Sequence, residues 1–302
     1  MKKIAVTCGD PAGIGPEVVE KFLRERPEAA SEILAIGPCS WLQKLPCDGV
    51  PVGDPDFKIV PAAPSAQACQ IAWDALETAA DLTRKHETAA VVTMPINKNN
   101  MQAIGFPFPG HTEFFAERWG GEATMAFAGG KLTVVLATWH TPLKSVPALI
   151  TPQSLERSVT EADRLARALT RKAFPKIAVC GLNPHAGENG LLGDEEFEIN
   201  KTLNQLRERF PNLSDCLPPD TVFWRQVQGE FDVVVALYHD QALGPVKTLE
   251  FDKAVNCTLG LPFVRTSPDH GTAYNIAGKG IAKTDSLENA LRVAEKLAKF
   301  TV

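Results

Sequence analysis

An α/β fold of two lobes on largely parallel sheets is predicted by three observations. Short β-branched runs alternate with helical patterns along the chain, the signature of strand–helix–strand units. The length of 302 residues lies near the limit at which one hydrophobic core stops growing. No flexible linker separates the lobes, so the chain is expected to cross between them more than once.

The first unit reads as a strand at Lys3–Cys8, a Gly/Pro loop and a helix opening at Pro16, where a missing N–H costs nothing. Further strands are expected at Glu32–Ile36, Ala89–Thr93, Leu132–Ala137, Lys176–Cys180 and Asp232–Leu237. Helices are expected at about 66–85, 154–171, 195–209 and 286–299. The last has Ser286 as its cap, Glu288 in its first turn, and Leu287, Leu291, Ala294 and Leu297 on one face.

Composition narrows the function classes. Thirty-one basic and 36 acidic residues give a net charge of −5 with the basic residues scattered, which argues against nucleic-acid binding. No segment approaches the ~20 apolar residues of a membrane span, and the apolar run Ile4–Val6 is far too short for a secretion signal. Seven dispersed cysteines without a C-x-x-C pair read as reduced thiols, so a cytoplasmic location is expected.

The placement of the six histidines is more informative. The runs LTVVLATWH, KIAVCGLNPH and DVVVALYHD put His140, His185 and His239 just past predicted strands. In open α/β sheets ligands bind outside the carboxyl ends of strands, so these three imidazoles could converge on one divalent cation. A single histidine there is more readily a loop hydrogen-bonding group, but three at equivalent positions argue against coincidence. His86, in the polar stretch RKHET, reads as a surface residue.

Other segments point to anions. GDPAGIGPE (9–17) is a strand-to-helix turn whose glycine spacing matches neither G-x-G-x-x-G nor the phosphate-loop pattern, and a tight structural turn explains it equally well. GHTEFF places His111 and Thr112 at a helix start, where a phosphate or carboxylate is stabilised; a threonine cap beside a loop histidine is the alternative. The stretch 238–270 holds His239, Asp240, Lys247, Asn256, Arg265, Asp269 and His270. Its Lys247 and Arg265 are flanked by turns and apolar residues, which suits an anionic substrate better than open surface. Asp220 is a cap or a carboxylate behind a metal ligand.

Taken in order, GDPAGIGPE, MPINK (94–98), GHTEFFA, LNPHAGENGLLGDEE (182–196), YHDQALGPVK (238–247) and VNCTLGLPFVRTSPDHGTAYNIAGKG (255–280) resemble the 4-hydroxythreonine-4-phosphate dehydrogenase family of pyridoxal 5′-phosphate biosynthesis, over essentially the whole chain. Trp139, Ala242 and Met94 stand where that family usually has other residues. The resemblance implies a two-lobed, three-layer αβα fold like isocitrate and isopropylmalate dehydrogenases. One lobe would comprise 1–125 plus about 265–302. The other, at about 126–264, would carry the metal ligands and dimer contacts.

It further implies a homodimer with its active site in the interlobe cleft at the subunit interface, and a divalent metal (zinc first, with magnesium, cobalt or manganese as alternatives) on His140, His185 and His239. Substrate would meet His111, Thr112, Lys247, Asn256 and Arg265, while Lys247, Asp240 and Asp220 are candidates for proton transfer. NAD or NADP would take the hydride, and no residue can be assigned to it. The implied reaction oxidises 4-phosphooxy-L-threonine to 2-amino-3-oxo-4-phosphooxybutanoate and then decarboxylates it to 3-amino-2-oxopropyl phosphate. Alternatives are oxidation of erythronate or threonate 4-phosphate, a metal-dependent lyase or hydrolase acting on a phosphorylated sugar acid, and a non-catalytic binding protein.

Overall fold

The computed structural model describes residues 2–301. The chain divides into two units, Met1–Ala123 with Val255–Val302, and Thr124–Ala254. The return to the first unit, expected near residue 265, comes at Val255.

The first unit runs β1 (Ile4–Thr7), α1 (Gly15–Glu25), β2 (Ile33–Gly37), α2 (Cys39–Leu42), β3 (Asp48–Pro51), α3 (Ala66–Arg84), β4 (Ala90–Thr93), α4 (Lys98–Ala103) and α5 (His111–Trp119). The second contains β5 (Thr124–Ala128), β6 (Val134–Leu136), α6 (Val146–Leu149), α7 (Pro152–Thr170), β7 (Ile177–Cys180), α8 (Glu195–Leu206), β8 (Leu213–Leu217), α9 (Pro219–Val227), β9 (Val233–Ala236) and α10 (His239–Glu250). The first then resumes with β10 (Val255–Leu259), β11 (Arg265–Pro268) and α11 (Asp285–Thr301).

In the first unit the strands lie in the order β3-β2-β1-β4-β11-β10, all parallel except the β10–β11 hairpin. That hairpin sets the return point, because β10 pairs with β11 and β11 with β4. Every residue of β1 and β4 is buried, so both faces of the sheet are covered. α3, with α4 and α5 beside it, lies against β1, β2 and β4, while α11, with α1 against it, lies against β4, β10 and β11.

In the second unit the order is β5-β6-β9-β7-β8, with only β5–β6 antiparallel. Its core gathers Phe127, Leu136, Val222, Phe223, Val234, Ala242 and Val246, with Trp139 half-buried against them. Ala242 and Met94, two of the unusual residues, are fully buried.

Ser286 is not the cap of the last helix. α11 starts one residue earlier, and the buried Ser286 hydroxyl accepts from the Asp269 N–H at 3.3 Å. Sequence reading also passed over α10, because Gly244 and Pro245 both disfavour a helix interior. Burial of Ala242 and Val246, four residues apart on one face, outweighs that propensity. Among the described residues no helix is long and apolar enough to cross a membrane.

Candidate active site

In the first unit, strands β4, β10 and β11 bring Thr93, Asn256, Thr258 and Arg265 together. Thr258 is the cross-strand partner of Arg265, and Asn256 lies two residues along the same face. The Arg265 side chain is buried and spends all five of its donors on neutral acceptors. Nε and Nη2 donate to Thr93 Oγ1 at 3.1 and 2.7 Å, and Nη1 donates to Asn256 Oδ1 at 3.0 Å and Thr258 Oγ1 at 3.1 Å. Nη2 also reaches His111 Nδ1 at 3.0 Å. Among the described residues no carboxylate forms an ion pair with the guanidinium, and burial lowers its pKa from 12.5 to about 10.

The contact with His111 settles a proton. Guanidinium can only donate, so His111 Nδ1 accepts and the ring hydrogen sits on Nε2. Burial, then the charges of Arg265 and Lys98, hold the ring's pKa well below its usual 6.5, so it is neutral. His111 Nε2 is itself buried with no hydrogen-bond partner, an unspent donor.

His111 is also the first residue of α5, whose N-cap Gly110 offers no side chain to the free N–H groups of the first turn. A Cβ at Gly110 would lie 3.7 Å from Lys98 Nζ, which puts that ammonium at the helix start. Buried Thr112 completes the group with its hydroxyl 3.3 Å from Thr258 Oγ1. An unpaired buried cation, an unspent N–H, a helix N-terminus and a lysine together favour an anion. Thr93, Lys98 and Thr258 were not picked out from the sequence. MPINK, with its lysine just past a strand and turn, was the available signal for Lys98.

In the second unit, His140, His185 and His239 follow β6, β7 and β9, three adjacent parallel strands in the order β6-β9-β7. The His140 and His239 rings lie with their centroids 5.6 Å apart. Asp240 Oδ1 sits 2.7 Å from His239 Nδ1, so the carboxylate takes the Nδ1 hydrogen and leaves the Nε2 lone pair for a Lewis acid.

His185 begins a run through Asn189 that is left-handed throughout, with φ between 46° and 78°. Each non-glycine residue held there costs about 1–2 kcal/mol. The structure does not gather His185 with the other two: among the described residues no group of three His, Cys, Asp or Glu is close enough to hold an ion. The donor chemistry of the His140–His239 pair fits two ligands of a divalent cation, with the third position open.

Asp220 is exposed in the first turn of α9, a helix that packs against the His185 turn. Lys247 lies towards the end of α10 with its Nζ 5.2 Å from the centre of the Phe251 ring. His86 is exposed.

The glycine-rich turn at 9–17 is structural. The N–H groups of Asp10 and Ile14 donate to the carbonyls of Pro95 and Thr272, and those of Ala12 and Gly13 donate to Asp10 itself. A Cβ at Gly15 would lie 2.3 Å from the Cys8 carbonyl oxygen, so that glycine is required by close backbone approach. Asp10, also held by the Tyr274 hydroxyl, closes this turn.

The fold defines a class. An isocitrate dehydrogenase from Methylococcus capsulatus shares it, with a TM-score of 0.52 over 99% of this chain and 88% of that one, at 16% identity. A profile of the family described as pyridoxal phosphate biosynthetic protein PdxA matches residues 19–294, and the chain belongs to that family. A 4-hydroxythreonine-4-phosphate dehydrogenase of Maricaulis maris is 42% identical, covering 99% of this chain and 98% of its own. A D-threonate 4-phosphate dehydrogenase of Cupriavidus necator is 40% identical over 98% and 97%. The crystal structure of a 4-hydroxythreonine-4-phosphate dehydrogenase from Klebsiella pneumoniae matches with a TM-score of 0.84 and 35% identity, over 99% of this chain and 100% of that one. Membership places the chain among the oxidoreductases, and a dehydrogenase family implies a nicotinamide cofactor.

Proposed function

We propose that this chain oxidises 4-phosphooxy-L-threonine with NAD or NADP to 2-amino-3-oxo-4-phosphooxybutanoate, which loses CO₂ to give 3-amino-2-oxopropyl phosphate in pyridoxal phosphate biosynthesis. The observation that carries this reading is the buried Arg265, without a carboxylate, beside the unspent His111 donor at the start of α5. Such a group recognises an anionic substrate and has no purpose in a protein that binds none.

Arg265 keeps His111 in the tautomer that donates from Nε2. The α5 N-terminus and Lys98 add fixed positive charge, and Thr112 and Asn256 add hydrogen-bonding groups beside it. His140, His185 and His239 would hold one divalent cation, zinc first among the candidates. That cation would acidify the substrate hydroxyl and stabilise the negative charge that decarboxylation develops. Asp240 orients His239, and Asp240, Lys247 and Asp220 are the candidates for moving the proton. The site would be shared across a homodimer, and the enzyme would work in the cytoplasm.

The likeness to the D-threonate 4-phosphate enzyme favours a second substrate of the same class. A panel of phosphorylated four-carbon hydroxy acids, read at 340 nm with each nicotinamide, decides between them. Reduced cofactor should form with one phosphorylated acid, and chelator treatment or His185→Ala should abolish it. Product without reduced cofactor would overturn the dehydrogenase reading, and full turnover of the chelated His185→Ala variant would overturn the histidine site.

A further inference from the structure

The turn of α4 that delivers Lys98 to the start of α5 is held from outside its own segment. Lys98 is exposed, and among the described residues it makes no hydrogen bond or ion pair, so no partner fixes its ammonium. A Cβ at Gly110 would lie 3.4 Å from Glu113 Oε2 and 3.7 Å from Lys98 Nζ, so a carboxylate stands ready to compete with an anion for the lysine. What limits the reach of so flexible a side chain is the backbone it starts from.

Three anchors hold that backbone. The Asp10 N–H donates to the Pro95 carbonyl at 2.8 Å, and Asn97 Oδ1 caps α4 by accepting from the Asn100 N–H at 3.0 Å. The third anchor comes from near the other end of the chain. Asn100 Nδ2 donates to Tyr274 Oη at 3.2 Å, and Tyr274 Oη donates to Oδ2 of buried Asp10. Burial, then the contact with Asp10, raises the Tyr274 pKa above its usual 10, so the hydroxyl keeps its proton. That proton goes to Asp10, which leaves the lone pairs of Oη for Asn100 and fixes the orientation of its amide.

Tyr274 is aimed here at a cost in backbone strain. Ala273 before it is left-handed, with φ 45°, and the Thr272 carbonyl accepts from the Ile14 N–H at 2.9 Å, seating the segment on the turn that holds Asp10. A tyrosine that served Asp10 alone would leave Asn100 to water.

We propose that Tyr274 is a positioning residue for the substrate anion, holding α4 through Asn100 and Asp10 so that Lys98 reaches the start of α5. This rests on the reading that Arg265, His111 and the α5 N-terminus bind an anionic group of the substrate. Tyr274 acts only through Lys98, so its effect on the anion exists only while that ammonium is present.

The test is a double-mutant cycle on the full chain. Binding of inorganic phosphate is followed by ³¹P NMR, and kcat and KM are measured with the phosphorylated four-carbon acid that the substrate panel identifies. Lys98→Met removes the ammonium, Tyr274→Phe removes only the linking hydroxyl, and Asn100→Ala cuts the same link from the other side. Lys98→Met should weaken phosphate binding about tenfold, the loss expected for one hydrogen bond to a charged group. Tyr274→Phe and Asn100→Ala should each weaken it about threefold and raise KM with kcat little changed. In the Lys98→Met background neither should weaken it further, although the loss of urea stability caused by Tyr274→Phe should persist there.

Additive losses of affinity, or wild-type affinity in folded Tyr274→Phe, would overturn the positioning role and leave the anion reading intact. So would wild-type affinity in Lys98→Met. If Tyr274→Phe does not fold, Asn100→Ala decides in its place. Failure of the wild type to bind phosphate would overturn both.

Discussion

Replacing Arg265 by lysine keeps a positive charge but removes the planar fork. Three donors then face acceptors that receive five hydrogen bonds from the guanidinium. Two lost bonds to a charged group should cost about 3 kcal/mol or more of folding stability. A pH signature comes with it. Burial lowers the arginine's pKa from 12.5 to about 10, which leaves it charged at neutral pH and through pH 9. Lysine starts about two lower, so under the same burial the introduced ammonium should lose its proton near roughly pH 8.

Between that point and the unfolded value of about 10.4, the unfolded chain binds the extra proton, so stability rises with pH. The Arg265→Lys deficit relative to wild type should therefore shrink by about 2–3 kcal/mol from pH 7 to pH 10. Urea unfolding of both proteins without ligand measures it, and the KM of the variant for a phosphorylated substrate should climb above pH 8 as its charge is lost. A deficit that stays constant across that range would refute the unpaired, desolvated cation on which the anion site is built.

Two further outcomes follow from groups in the same unit. His111 is held neutral below its usual range, so unfolding in mild acid takes up a proton and wild-type stability should fall as pH drops from about 6.5 towards 5. In His111→Gln that slope should be shallower in urea titrations, and an unchanged slope would count against the buried neutral ring. Glu77 is held below the ordinary carboxylate range chiefly by its paired hydrogen bonds from Arg118, on a half-exposed surface of α3 and α5. Glu77→Gln should cost about 0.5–1 kcal/mol at pH 7, discounted for exposure, and the difference from wild type should vanish as pH falls through the low pKa of Glu77.

What the sequence made legible was whatever local pattern determines. Helices α1, α3, α7, α8 and α11 and strands β1, β2, β4, β6, β7 and β9 follow from apolar period and caps. Polar strands such as β11 (RTSP) carry no such period, because they are buried by the units around them rather than by their own side chains. His140, His185 and His239 stood out because apolar runs deliver them to strand ends, and Arg265 because it sits among apolar neighbours. Tyr274, Asn100 and Thr93 did not, since an uncharged side chain acquires meaning only from partners far along the chain. The tautomers were equally hidden: His111 keeps a hydrogen on Nε2 for an anion and His239 keeps a lone pair there for a cation. Arg265 and Asp240 make that difference.

The discontinuous first unit bears on how the chain is made. β4 is buried between β1 and β11, yet residues 94–264 are synthesised between β4 and β11. At the usual 5–20 residues per second, one edge of β4 waits roughly 10–35 s for its neighbour, long compared with the folding of the contiguous second unit. An open edge on a strand that is buried throughout in the native unit invites pairing with other nascent chains during that interval. The cell's handling of this enzyme is thus governed by the middle of translation, when the second unit can already be native and the first still lacks the strand that carries Arg265.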